Sequence, residues 1–273
     1  MELNIRLSGG QLLRGFITSP GSEVRAFIIL VHGLGEHVMR YSGWAGKFNA
    51  SGIGFAGVDL PGHGKSDGKK GHIKNYGITG EMLDILLSEY RKTYNGLPVF
   101  LYGHSLGGGI VLEYLLKKSP EVKGAVVTSP WLRLAFEPSK AKVALAGFLR
   151  HIFPSRVQPT GLVTEHLSHD FSVVEKYIND PLVHGKISTA LFYNTVSAGA
   201  YILSNADKLK VPVLLLHGSD DKITSPDGSR EIAAKSDLIT FRLWEGGYHE
   251  LHNEPFNEEV FSFILNWINT RIS

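Results

Sequence analysis

A single α/β domain built on a mostly parallel sheet is predicted by three observations. Short runs that are apolar on every residue recur along the chain, helical patterns lie between them, and 273 residues suffice for one large core. Runs without alternation suit buried parallel strands, because both faces of such a sheet are covered by helices.

The elements follow in order. Glu2–Leu7 and Gln11–Thr18 alternate in polarity around Ser8-Gly9-Gly10 and predict an edge hairpin. Apolar strands are predicted at Ala26–Val31, Phe55–Leu60, Val99–Tyr102, Gly124–Thr128, Val211–Leu216 and Ile239–Trp244. Helices are predicted at Trp44–Ala50, Thr79–Tyr94, Leu106–Lys118, Arg230–Lys235 and Glu258–Arg271. In the second of these Met82, Leu83, Leu86, Leu87 and Tyr90 share one face. The count is about eight strands, with the hairpin at one edge. Residues 131–205 break the rhythm. They read as helical, without a parallel strand, and are interrupted at Phe153-Pro154-Ser155 and Pro159-Thr160-Gly161. This predicts a core from 1–130 and 206–273, with 131–205 inserted as a helical cap.

Composition removes several function classes. Lys plus Arg is 28 against 26 for Asp plus Glu, a net charge of +2 that argues against nucleic acid binding. The absence of cysteine excludes a disulfide framework, a thiolate metal site and a Cys nucleophile, and fits a cytoplasmic location. The first ten residues carry no apolar signal core, and no run approaches the length of a membrane span. Twelve histidines raise the question of a metal, but His249-Glu250-Leu251-His252 lacks the spacing of a zinc-binding helix, and neither metal nor cofactor is expected.

Chemistry concentrates at the ends of the predicted strands. Gly103-His104-Ser105-Leu106-Gly107 sits between a strand and a helix, the context of a nucleophile elbow. A serine hydroxyl needs a base, and in this architecture an acid and then a histidine follow it in the chain. The strand from Val211 leads into Asp220 and Asp221, either of which could be the acid. The next strand leads into Glu245-Gly246-Gly247-Tyr248-His249. His249 directly follows the glycine-opened loop and is the predicted base, with His252 a packing or capping residue. An oxyanion needs two N–H donors. Leu106, after the nucleophile, supplies one, and Leu34, in the loop after the first parallel strand, supplies the other.

Six segments give the chain a family likeness: HGLGEH at His32–His37, DLPGHGKSDG at Asp59–Gly68, GHSLGG ending at Gly108, NDPLVHGKIS at Asn179–Ser188, LLLHGSDDKIT at Leu214–Thr224, and YHELHNE at Tyr248–Glu254. In these the sequence resembles the monoacylglycerol lipase and lysophospholipase branch of the α/β-hydrolase superfamily, grouped with serine aminopeptidases. The resemblance implies an α/β-hydrolase fold and cofactor-free hydrolysis of single-chain lipid esters. Its G-x-x-D spacing selects Asp221 as the acid, beside Ser105 as nucleophile and His249 as base. Glu36 and His37 are placed near the glycerol end, and Gly33 and His104 complete the expected substrate-binding set. The resemblance also implies a lipid ester partner and transient membrane contact through the cap, in a monomer or weak homodimer. Within the cap, Ser139–Phe153 mixes Lys140, Lys142 and Arg150 with Val143, Leu145, Phe148 and Ile152, a pattern for an acyl tunnel, for a lipid surface, or for an amphipathic helix packed on the core with a solvated basic face. The same motifs would serve a short-chain esterase, a thioesterase or a lysophospholipase. An aminopeptidase or a non-catalytic binder is the more distant alternative.

Overall fold

The computed structural model describes residues 1–21, 23–136 and 138–272. In chain order it contains β1 (Glu2–Arg6), β2 (Leu12–Thr18), β3 (Ala26–Val31), α1 (Ser42–Ala50), β4 (Ile53–Val58), α2 (Tyr76–Thr93), β5 (Val99–His104), α3 (Leu106–Lys118) and β6 (Gly124–Thr128). There follow α4 (Lys140–Ile152), β7 (Val157–Pro159), α5 (Phe171–Asn179), β8 (Lys186–Ser188) and α6 (Thr189–Asn205). The chain closes with β9 (Val213–Gly218), α7 (Pro226–Ala233), β10 (Ile239–Trp244) and α8 (Asn257–Ile272).

Eight strands form one sheet in the order β1-β2-β4-β3-β5-β6-β9-β10. The hairpin of β1 and β2 is antiparallel and joins β4 antiparallel, and every other pairing is parallel. The apolar runs have the expected cause. Along β3, Phe27, Ile29 and Val31 enter a core with α2 and α3. The intervening Ile28 and Leu30 enter a second core with Phe48 of α1 and Ile264 of α8. Each central strand is thus buried from both sides, and alternation has no solvent face to report.

Three of the parallel strands begin or end elsewhere than the apolar runs indicate, β5 by continuing past Tyr102 through Gly103 to His104. The second parallel strand covers Ile53–Val58 rather than Phe55–Leu60. Its start is hidden by Gly54, where a Cβ would lie 2.3 Å from the Phe27 ring. Its end is set by Leu60, whose amide leaves the ladder to donate to His32 Nε2 at 2.8 Å. The strand after residue 205 starts at Val213, since Pro212 has no N–H for a ladder, and its carbonyl accepts from Ala125 instead. Helix α7 begins at Pro226, earlier than the predicted Arg230, using proline's fixed φ in the first turn.

Residues 131–205 hold α4, α5 and α6. They also hold a two-stranded antiparallel pair, β7 with β8, which sequence patterning missed. Three residues per strand are too few to show a period. No described helix is long and apolar enough to cross a membrane.

Candidate active site

The carboxyl ends of the parallel strands present the loops that carry chemistry in open α/β sheets. Between β5 and α3 the chain reverses at Ser105, whose φ of 53° and ψ of −116° lie where side-chain-bearing residues rarely sit. The flanking glycines permit this. A Cβ on Gly103 would lie 2.6 Å from the Gly107 carbonyl oxygen, and one on Gly107 would lie 2.0 Å from that of Val31. Hydrogen bonds from Ser105 N to Thr128 O (3.0 Å) and from Trp131 N to Ser105 O (3.0 Å) hold the turn in place.

The structure brings Ser105, His249 and Asp221 together. His249 Nε2 lies 3.0 Å from Ser105 Oγ, and His249 Nδ1 lies 2.7 Å from Asp221 Oδ2. A carboxylate can only accept, so Nδ1 carries the ring proton and Nε2 is left to accept from the serine hydroxyl. Asp221 is fixed by its own loop: Oδ1 accepts from the amides of Ile223 (2.8 Å) and Thr224 (3.0 Å), and Oδ2 from Thr224 Oγ1 (2.9 Å). Asp220 is exposed and pairs with Ser219 Oγ. Burial raises the Asp221 carboxyl, but the facing His249 and the hydrogen bonds from His217 and His249 outweigh it and hold it well below the carboxylate range. Burial likewise lowers His249, but Asp221 outweighs it and raises the imidazole above its ordinary value.

Among the described residues neither the Leu34 nor the Leu106 amide donates to a protein acceptor. Leu106 opens α3, so its N–H also has the positive end of the helix dipole behind it. Gly33 is constrained from three sides: a Cβ there would lie 2.8 Å from Glu36 Oε1, 3.3 Å from Ser105 Cβ and 3.4 Å from His104 Cδ2.

A cavity of about 220 Å³ opens above Ser105. Its apolar wall includes Leu34, Trp131, Leu134, Leu162, Leu167 and Phe192, so most of it comes from residues 131–205. Gly33, Glu36 and His104 also line it. His37, expected beside the substrate, is not part of the wall. Its Nε2 is hydrogen-bonded to Asp180 Oδ2 at 2.8 Å, a partner 143 residues away that no local pattern indicates.

This arrangement can activate a hydroxyl, hold an oxyanion and house an apolar chain. The sequence matches the family described as Serine aminopeptidase, S33 (Hydrolase_4) over residues 22–256. The chain belongs to this family. Among its relatives is a monoacylglycerol lipase of Mycolicibacterium smegmatis, 30% identical over 263 residues, with 95% of this chain and 94% of that protein covered. An uncharacterized abhydrolase domain-containing protein of Dictyostelium discoideum is 36% identical over 259 residues, which make up 93% of this chain but 27% of that longer protein. Among solved structures, the monoacylglycerol lipase of Paleococcus ferrophilus superposes with a TM-score of 0.86 at 35% identity, covering 94% of this chain and 99% of that one.

Sequence reasoning missed a buried charge cluster in this S33-family site. Arg40 Nη1 meets Glu36 Oε2 at 2.6 Å and Glu250 Oε1 at 2.7 Å, and Nη2 meets Glu250 Oε2 at 2.8 Å. Glu36 Oε1 accepts from Gly33 N (2.6 Å) and from the Tyr41 hydroxyl (2.9 Å). Glu36 therefore shapes the loop that carries the Leu34 amide, while Glu250 adjoins His249. The Arg40 guanidinium also lies 4.7 Å from the Tyr177 ring centroid, reaching α5. The signal available in sequence was the four-residue spacing of Glu36 and Arg40. Nothing in sequence pointed to Glu250, 210 residues away.

Most of the remaining histidines are buried. His104 packs 4.8 Å from the His249 ring centroid and bonds Thr128 Oγ1 through Nδ1 at 3.0 Å. Burial, reinforced by the neighbouring His249 and His252, pushes it well below its ordinary value. His252 stacks on Tyr41 at 4.6 Å, a packing role as expected, and neither of its ring nitrogens has a partner among the described residues. Burial lowers both His252 and His32 to about 4, despite the raising pull of Glu250 and Glu36 respectively.

That gives an acid-stability prediction. A folded value of about 4 lies below the unfolded value near 6.5, so between these limits the unfolded chain binds more protons. Stability is therefore lost as pH falls from about 6.5 to 4, by on the order of 3 kcal/mol per buried ring. Urea unfolding at pH 7 and pH 4.5 is expected to show this slope, and His252→Phe, which removes an unbonded ring, is expected to flatten it. An unchanged slope would assign the acid sensitivity to other groups.

Proposed function

We propose that the protein is a monoacylglycerol lipase that cleaves glycerol monoesters through an acyl-enzyme on Ser105. The carrying observation is the unbroken line from Ser105 Oγ through His249 to Asp221 beneath an apolar cavity. His249 takes the serine proton as Oγ attacks the ester carbonyl, and the Leu34 and Leu106 amides hold the resulting oxyanion. The tetrahedral intermediate collapses, the carbonyl–glycerol bond breaks, and His249 protonates the departing glycerol oxygen. Water, deprotonated by His249, then attacks the acyl-enzyme and releases the fatty acid. Asp221 holds the imidazole tautomer and stabilises its cation throughout. The full-length likeness to monoacylglycerol lipases supports this substrate class.

The site is poorly suited to a peptide amine. Among the described residues, the two carboxylates lining the cavity, Glu36 and Glu250, are both engaged by Arg40, and neither is free to pair with an ammonium group. Purified protein assayed on glycerol monoesters of increasing chain length should prefer medium or long chains over acetate. Equal or greater activity on the acetate ester would replace this reading with a short-chain esterase.

We read residues 131–205 as the cap that receives the lipid, working at a cytoplasmic membrane face. Helix α4 leaves Leu145, Phe148 and Ile152 more than half exposed, as is Phe153 just beyond it. Arg150 and Lys140 lie on the same short stretch, the composition of a helix that rests in a headgroup layer. Phe148→Ser is expected to weaken sedimentation with phosphatidylglycerol-containing vesicles several-fold while sparing hydrolysis of a soluble ester. Unaltered sedimentation would remove α4 from the membrane contact.

A further inference from the structure

Asp221 does not serve His249 alone. His217, at the end of β9, is fully buried and places Nε2 3.1 Å from the same carboxylate oxygen, Oδ2, that faces His249. On its other side, His217 Nδ1 lies 2.8 Å from Ser229 Oγ, in α7, which is also fully buried. A carboxylate accepts only, so His217 Nε2–H donates to Asp221, and with the ring proton placed there Nδ1 accepts from the Ser229 hydroxyl. The carboxylate thus stands between two serine–histidine arms. One ends at Ser105 beneath the cavity, the other at a serine that is fully buried.

We propose that His217, oriented by Ser229, is a positioning residue that draws electron density from the shared Asp221 oxygen and so limits how strongly Asp221 holds the proton on His249. The inference rests on the roles proposed above for Ser105, His249 and Asp221. Its physical basis is competition for one acceptor. A carboxylate oxygen that receives an additional N–H bond is a weaker partner for the remaining one. Asp221 would not swing away without His217, because two backbone amides hold Oδ1 and Thr224 Oγ1 holds Oδ2. The effect of losing His217 is therefore on charge more than on geometry.

The sign follows. Without the His217 donor, Asp221 attracts the His249 proton more strongly and the imidazole becomes more basic. Since His249 must be neutral to accept the serine proton, the acid limb of kcat/KM moves to higher pH. The other groups facing His249 are Glu250 and Glu36, which favour its cation, and His104 and His252, which oppose it. None of these touches His217, so all are unchanged in the variants.

The experiment is the pH dependence of kcat/KM for a soluble glycerol ester in wild type, His217→Phe and His217→Gln. His217→Phe is expected to move the acid limb up by about 0.5–1 pH unit. His217→Gln, whose amide can donate to the same oxygen, is expected to bring most of it back. A limb that is unmoved or lowered in a folded His217→Phe overturns the proposal, since a packing role would reduce Tm or kcat without that shift. If His217→Phe does not fold, Ser229→Ala, which leaves the Nδ1 acceptor without its donor, is expected to shift the limb the same way by a smaller step. An unmoved limb there overturns the proposal equally. The titration of the downfield His249 Nδ1 proton by NMR gives a second reading independent of turnover. Activity surviving in Ser105→Ala would instead remove the triad itself, so the two failures are separable.

Discussion

Replacing Ser105 by alanine is expected to lower kcat on glycerol monoesters by on the order of 10⁵- to 10⁶-fold while leaving the protein folded. The expectation comes from geometry. The Oγ is the atom within 3.0 Å of His249 Nε2, and it tops a turn whose backbone is held by Thr128 and Trp131 rather than by the side chain. Alanine therefore removes the bond-forming atom and leaves the turn intact. Far-ultraviolet circular dichroism and Tm should match wild type, and a fluorophosphonate probe should label wild type but not the variant. Turnover above about one per cent of wild type, in protein free of contaminating esterase, would mean that another group attacks the ester.

Arg40→Met is expected to be the most damaging substitution outside that line. It withdraws the cation from two carboxylates buried at 3% and 2% relative exposure. Burial alone raises the Glu250 carboxyl, and it is chiefly Arg40 that keeps it below its ordinary value. Removing one partner of a buried ion cluster costs about 3–5 kcal/mol, because the remaining charges cannot be rehydrated. For a chain of this size that is a fall of roughly 10 °C in Tm. Activity should fall with it, since Glu36 holds the Gly33 amide and Glu250 adjoins His249. Neutralising the carboxylates as well, in Glu36→Gln/Arg40→Met/Glu250→Gln, should recover a large part of the stability but not the activity. Thermal unfolding of the two variants decides this. A loss below about 1 kcal/mol in Arg40→Met would show the cluster to be solvated in solution.

The contrast between these two sites explains what could be read from the chain alone. Ser105, its flanking glycines and the downstream acid and base are announced by local grammar. A tight turn demands Gly103 and Gly107, and strand ends deliver the rest in a fixed order. The parallel strands were legible for a related reason, since β3 and β5 are buried on both faces and show it in composition. The Arg40 cluster follows no local rule, because charged residues are rarely buried and its members meet only after folding. The bond from His37 to Asp180 is of the same kind, and it moved a residue expected at the substrate into a contact between loops. Asp221 was separable from Asp220 only by family spacing. The structure separates them by burial and by the two amides that Asp221 accepts.

The segment Asn179–Ser188 meets the loop before α1 at several points. His184 N donates to Gly35 O at 2.8 Å, Asp180 holds His37, and a Cβ on Gly35 would lie 2.3 Å from the His184 carbonyl oxygen. Segment and loop are therefore cut to one another's shape. Chimeras that exchange residues 131–205 for those of a relative should misplace the Leu34 amide unless residues 33–40 travel with them, so the natural unit of recombination here is the pair.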